Sequence, residues 1–294
     1  MHRNRRWNIP LRAAFVSIAL VCALMPRFVA AQVAGPYGAS ANQALVLGAG
    51  PSGMMANGWK FIAQQNFLLT MAVQQRMIAA QAAGGGGVKA LPDGPLVEPK
   101  THFVRTSDID VAASIADELA KKSSQHTKAE YTKYTRDRFD DFTNQSRQAN
   151  MPLDSVPTSC TYYIATLYAI GAHQSVHGER GRDTVRGSCV LLVSSLQTQG
   201  RMETDAERQR YYDAFGIIAS GLRWELVDAQ RKGDRAAVTA TVHTAHELLA
   251  KSIGFDPAVL TIDRLPCAFV PENKCDAVLP KLQNYLIAAA SKYP

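Results

Sequence analysis

Apolar residues recur along most of the chain at steps of three and four, the repeat of an α-helix with one buried face. The longest such run covers about 203–232, where Tyr211, Phe215, Ile218, Leu222 and Leu226 follow at steps of four, three, four and four. Thr204 and Glu207 stand at capping-box spacing at its start, Gly233 ends it, and Asp234 is placed to cap a following helix. About thirty residues make a helix roughly 45 Å long. Such a helix needs neighbours along its whole length, which makes it the spine of a helical domain.

The segments around it read in the same way. Ser107 to Asp110 has capping-box spacing before a stripe of Val111, Ile115 and Leu119. Thr127 and Glu130 form another such box, and Tyr131, Tyr134, Phe139 and Phe142 fall within one arc of the helix that follows. Thr161 to Ala172 is almost wholly apolar, the mark of a central buried helix, and Gly178 to Gly181 turns the chain. Cys189 to Val193 opens another buried element, in which the polar residues up to Gly200 favour helix over strand. A helix from Asp234 to about Ile253 ends at Gly254 and Pro257. Val259 to Ile262 is the one candidate short strand, and a last helix runs from about Leu279 to Lys292. The expected fold is all-α: a multi-helix bundle around the long helix at about 203–232, with a separate N-terminal helix and at most one short strand.

The N-terminal third differs in pattern. Arg3, Arg5 and Arg6 precede an apolar run from Ala13 to Leu24, and Val29-Ala30-Ala31 offers small residues for cleavage, so residues 1–31 read as a signal peptide. The run is shorter than the ~20 residues of a membrane span. Residues 32–53 form a Gly/Ala-rich lead-in. Residues 54–83 read as a helix with apolar side chains, among them Trp59, Phe61, Phe67, Leu68 and Met77, pointing in several directions, while only Lys60 and Arg76 carry charge. Such a helix requires burial on more than one side, against its own domain, against a protein partner or against a membrane. Gly84–Gly87, Pro92, Pro95 and Pro99 make 84–106 a linker, which divides that helix from a core domain over 107–265 and a C-terminal loop and helix over 266–294.

Charge adds little once the leader is set aside. Five of the 32 basic residues and none of the 25 acidic ones lie in the first 31 positions, so the excess falls from +7 to +2. No clustered basic face is present, which argues against nucleic-acid binding. Gly48, Gly50 and Gly53 match the dinucleotide fingerprint. The four-residue strand before them is too short, however, and the next acid, Asp93, lies forty positions on, so no cofactor is expected.

A resemblance is carried by Phe139-Asp-Asp-Phe142, by Val156-Pro-Thr-Ser-Cys-Thr-Tyr-Tyr-Ile-Ala-Thr-Leu-Tyr168, and by Ala245 to Ile262 with its Gly254-Phe255-Asp256-Pro257. Over about 108–263 the chain resembles an uncharacterised family of exported bacterial proteins classed as a domain of unknown function. The resemblance implies export and an all-helical fold, and it brings no catalytic residues. The segment after Leu265 lies outside it.

Four cysteines follow the leader, an even number in an exported chain. Were 158–177 and 184–198 an antiparallel hairpin, Cys160 and Cys189 would differ in height by roughly 18 Å, far more than the ~5.5 Å of a disulfide. That geometry predicts a Cys267–Cys275 disulfide and leaves Cys160 and Cys189 as buried thiols. His173 and His177 at i, i+4, with Glu179 nearby, and His243 and His246 beside Glu247, carry metal-ligand spacing. The first pair has Gln174 where a zinc protease helix has its glutamate, and neither pair has an evident further ligand, so no metal site is assigned. Asp140 and Asp141, adjacent on a helix, diverge and read as a solvated face, and no nucleophile elbow is present.

Two functions fit these observations. The first is an exported protein, periplasmic or secreted, that binds a protein partner through 54–83 or has a structural role in the envelope. The second is a hydrolase-type enzyme with its site assembled from several helices. A deep cleft with converging His, Asp or Cys side chains would mark the enzyme, and a flat apolar surface would mark the binding protein.

Overall fold

The computed structural model describes residues 99–293 apart from 123–125, 198–199, 255, 259–260 and 270–274. The signal peptide, the lead-in with Gly48–Gly53, the helix at 54–83 and residues 84–98 of the expected linker lie outside the described residues.

Seven α-helices and one 3-10 helix make up the described fold: α1 (Val111–Lys122), α2 (Lys128–Gln148), α3 (Val156–Gly171), α4 (Gly178–Gln197), α5 (Asp205–Lys232), α6 (Arg235–Ile253), the 3-10 helix (Ile262–Phe269) and α7 (Cys275–Lys292). Among the described residues β-pairing is limited to one isolated bridge, between His102 and Ser155. Within the expected strand at 259–262, Ile262 instead opens the 3-10 helix, while Val259 and Leu260 lie outside the described residues.

The ends of α5 follow its local signals. The Thr204 side chain accepts from the Glu207 N–H, and the Glu207 carboxylate accepts from the Thr204 N–H. Gly233 closes the helix in the left-handed region at φ 69°, and Asp234 caps α6 by accepting from the Ala237 N–H. Thr127 and Glu130 form the same reciprocal cap on α2. The start of α1 departs from expectation. Asp110 alone caps it, accepting from the Ala113 N–H, because the helix begins at Val111.

Burial around α5 is wider than its stripe. Every residue from Tyr211 to Leu222 is buried, not only one in three or four. Ala214, Gly216, Ala219 and Gly221 give that stretch small positions, so α2, α3 and α6 all pack against it. At Gly216 the approach is closest: a Cβ there would stand 2.1 Å from Cδ1 of Phe142. A second centre is α3, buried at all but one of its sixteen residues and packed between α5, α6 and α4. On the far side, α7 and the 3-10 helix cover α4.

The pairing of α3 with α4 corrects the cysteine reading. Helix α3 ends at Gly171 rather than at 177, and α4 begins at Gly178, whose φ of 69° supplies the turn expected of 178–181. Cys160 then lies eleven residues before one helix end and Cys189 eleven residues after the next helix start, which brings them to the same height. Their Cα atoms are 5.8 Å apart, a disulfide separation, so the two are not independent buried thiols. The hairpin survives; its assumed ends produced the 18 Å mismatch. Cys267 and Cys275, at the ends of the 3-10 helix and α7, are also at disulfide separation, 5.3 Å between Cα atoms.

Candidate functional site

Residues 99–106, expected to end a linker, are docked as an extended strap on the helices. The Phe103 N–H donates to the Asp154 carbonyl (3.0 Å), and the Val156 N–H donates to the Thr101 carbonyl (3.0 Å). The second bond has a local cause. Pro157 lies in the first turn of α3 and Ser155 makes no side-chain cap there, so the strap carbonyl satisfies a helix-end N–H.

The other edge of the strap is held by side chains. Gln197 at the end of α4 accepts from the Lys100 N–H (2.9 Å) and donates to the Lys100 carbonyl (2.8 Å). Gln209 treats Thr106 in the same way, accepting at 2.8 Å and donating at 3.2 Å. Each glutamine amide thus pairs with the N–H and the carbonyl of one strap residue, as a residue on a neighbouring strand would. Asp205 accepts from the Val104 N–H. Asp213 takes both ends of the Arg105 guanidinium, at 2.9 and 3.1 Å. Asp205, Gln209 and Asp213 are spaced by four on α5, so one polar row forms the wall of this groove.

Phe103 and Arg105 supply the strap's side-chain anchors. Phe103 is buried against Tyr212, with ring centroids 5.3 Å apart. The Arg105 guanidinium carbon lies 5.6, 5.1 and 5.6 Å from the rings of Phe103, Phe139 and Tyr212. Asp213 is only 5% exposed, and burial pushes its carboxyl above the usual range while Arg105 pulls it back. Val104 points outward and is 75% exposed.

A second polar group lies between α2 and α5. Arg138, 1% exposed, lies against the rings of Tyr134 and Trp224, 5.2 and 5.0 Å from their centroids, while those rings meet edge-on at 5.6 Å; it pairs with Asp141 at 3.0 Å. Burial raises the Asp141 carboxyl, Arg138 and Arg223 oppose the rise, and the Tyr134 hydroxyl is pushed far up by its burial. Asp141 is therefore part of a half-buried charge pair rather than of a fully solvated face. Arg223 and Tyr162 both bond Gln145, which ties α2, α3 and α5 together. The guanidinium thus joins α2 to α5.

The histidines are not brought together as ligands. His173 and His177 both fall in the irregular connection after α3, so their i, i+4 spacing is not a helical turn. His243 pairs with Glu247 at 3.3 Å and His246 with Asp256 at 3.5 Å, each with its own acid. Among the described residues no group of three or more His, Cys, Asp or Glu is placed to hold a metal, and no helix is long and apolar enough to cross a membrane. A shallow groove beside Lys128, Lys133 and Arg136 is wide open, and its cations pair with Asp117, Asp137 and Asp110.

The strap contacts escape sequence reading because their partners are about a hundred positions apart. Two signals were nonetheless present: the polar row 205, 209, 213, and Arg138 set midway between Tyr134 and Phe142 on the buried face of α2. The model of a family of unknown function, DUF6683, matches residues 10–265. That match reaches well upstream of the resemblance seen over 108–263 and stops, like it, near Leu265. No curated protein and no solved structure matches the chain.

Proposed function

The chain belongs to DUF6683, a family of unknown function, and from that premise we propose that it is an exported protein, periplasmic or secreted, that acts by binding a protein partner. The observation behind this reading is the anchored strap. Residues 99–106 are held on the helical body through Arg105 and Asp213, so whatever precedes them is attached at a defined point on its surface. What precedes them is the Gly/Pro-rich stretch and, before it, the 54–83 segment with its several apolar faces and two charges. A helix of that pattern needs a surface to bury against. Two cysteine pairs at disulfide separation support an oxidising compartment.

The test is crosslinking of tagged full-length chain in its native cells, beside a chain lacking 54–83. Crosslinked protein partners lost on the deletion are expected. The same partners with and without 54–83 would refute the role given to this segment, and a tagged chain found only in the cytoplasm would refute export.

A further inference from the structure

The groove that holds residues 99–106 is built for an extended peptide. Two glutamine amides read the backbone of Lys100 and Thr106, whatever their side chains. The 154–156 segment pairs along the opposite edge. Specificity comes from an aromatic residue at one position and an arginine two positions later, read by the rings of Tyr212 and Phe139 and by buried Asp213. This is strand-addition recognition, with main-chain bonds supplying affinity and side-chain sites selecting the ligand.

We propose that the groove also accepts the 99–106 strap of a second copy of this chain, so that two copies pair by exchanging straps. The ligand chemistry is that of the chain itself, Phe103-Val104-Arg105 in extended form. Neither close cysteine pair involves the strap, so only non-covalent contacts hold it in its own groove. Its connection to α1 is the short stretch 107–110, where Thr106 Oγ1 accepts from the Asp108 N–H. Exchange requires that stretch to open, which breaks this bond and the one that Gln209 Nε2 donates to the Ile109 carbonyl.

Closed and exchanged forms make the same strap contacts, which is what makes exchange of an identical element a low-cost route to dimers. The tether favours the closed form, since a short connection gives the strap an effective concentration on the order of 1 mM. Reciprocal exchange recovers that term for the second strap, so pairing is expected as the chain approaches about 1 mM. The inference rests on the groove and not on the role proposed for 54–83.

Because both forms share their contacts, weakening the groove alone does not discriminate between them; complementary variants do. Full-length Arg105→Asp sets a carboxylate against Asp213, and full-length Asp213→Arg sets a guanidinium against Arg105. In a mixed exchanged dimer both pairs are again of opposite charge. Light scattering after co-refolding is expected to show a mixed dimer at least about 10-fold more abundant than dimer in either variant alone, since like charges set against each other disfavour docking. Deleting 54–83 from both copies should leave that dimer in place. If both variants show helical circular dichroism and their mixture stays monomeric, the inference fails. Should Asp213→Arg not fold, two differently tagged wild-type chains co-refolded near 1 mM decide the matter: joint recovery of both tags, retained without 54–83, supports exchange, and its absence refutes it.

Discussion

Gly216→Ala sets two effects of known sign against each other. In a helix interior, alanine in place of glycine stabilises by about 1 kcal/mol. Here the added Cβ would stand 2.1 Å from Cδ1, 2.5 Å from Cε1 and 2.7 Å from Cγ of Phe142, so the ring must retreat by more than an ångström. It has nowhere to go: Phe142 is fully buried, with the rings of Phe139, Tyr162 and Tyr212 at 6.2, 5.1 and 5.2 Å. Overpacking of this kind costs about 1–3 kcal/mol, and a contact this short belongs at the upper end. The net loss is about 1–2 kcal/mol after the helix gain, which lowers the melting temperature by about 2–8 °C in a domain of this size. Urea and thermal unfolding followed by circular dichroism measure it. Phe142→Leu made in the same chain should cost less than Phe142→Leu alone, with a coupling of about 0.5–3 kcal/mol. A Gly216→Ala chain more stable than wild type, or an additive double variant, would refute the packing described between α2 and α5.

Three further outcomes are expected. Non-reducing peptide mapping should find Cys160 joined to Cys189 and Cys267 to Cys275; replacing the first pair by alanine should cost about 3–4 kcal/mol for its separation of 29, and the second about 2.5 kcal/mol for its separation of 8. Asp213 has a folded pKa above its unfolded 3.8, so from there up to its folded value stability falls as pH rises, and Asp213→Asn should flatten that slope in unfolding measured against pH. Gly187→Ala should undock α7 and expose it to limited proteolysis, because a Cβ there would meet the Leu286 carbonyl oxygen at 2.1 Å, backbone that cannot rotate away.

What the sequence determined by itself is local. Thr127 with Glu130, Thr204 with Glu207, and Gly233 with Asp234 set helix ends through bonds between residues at most five apart, and those bonds form as read. Helical periodicity likewise fixed the all-α class and the buried face of α1, since Val111, Ile115 and Leu119 need only one neighbour to cover them. Tertiary structure decided whatever depends on height or on distant partners. Six residues of error at the end of α3 and at the start of α4 were enough to separate Cys160 from Cys189 on paper, because helix rise accumulates with each misplaced residue. All-round burial of α5 could not be read from its stripe either, as small residues such as Gly216 become core only when other helices close on them. Residues 99–106 have no helical period of their own. They are ordered by Gln197, Gln209 and Asp213, about a hundred positions away, and such contacts exist only once the helices that carry them have packed.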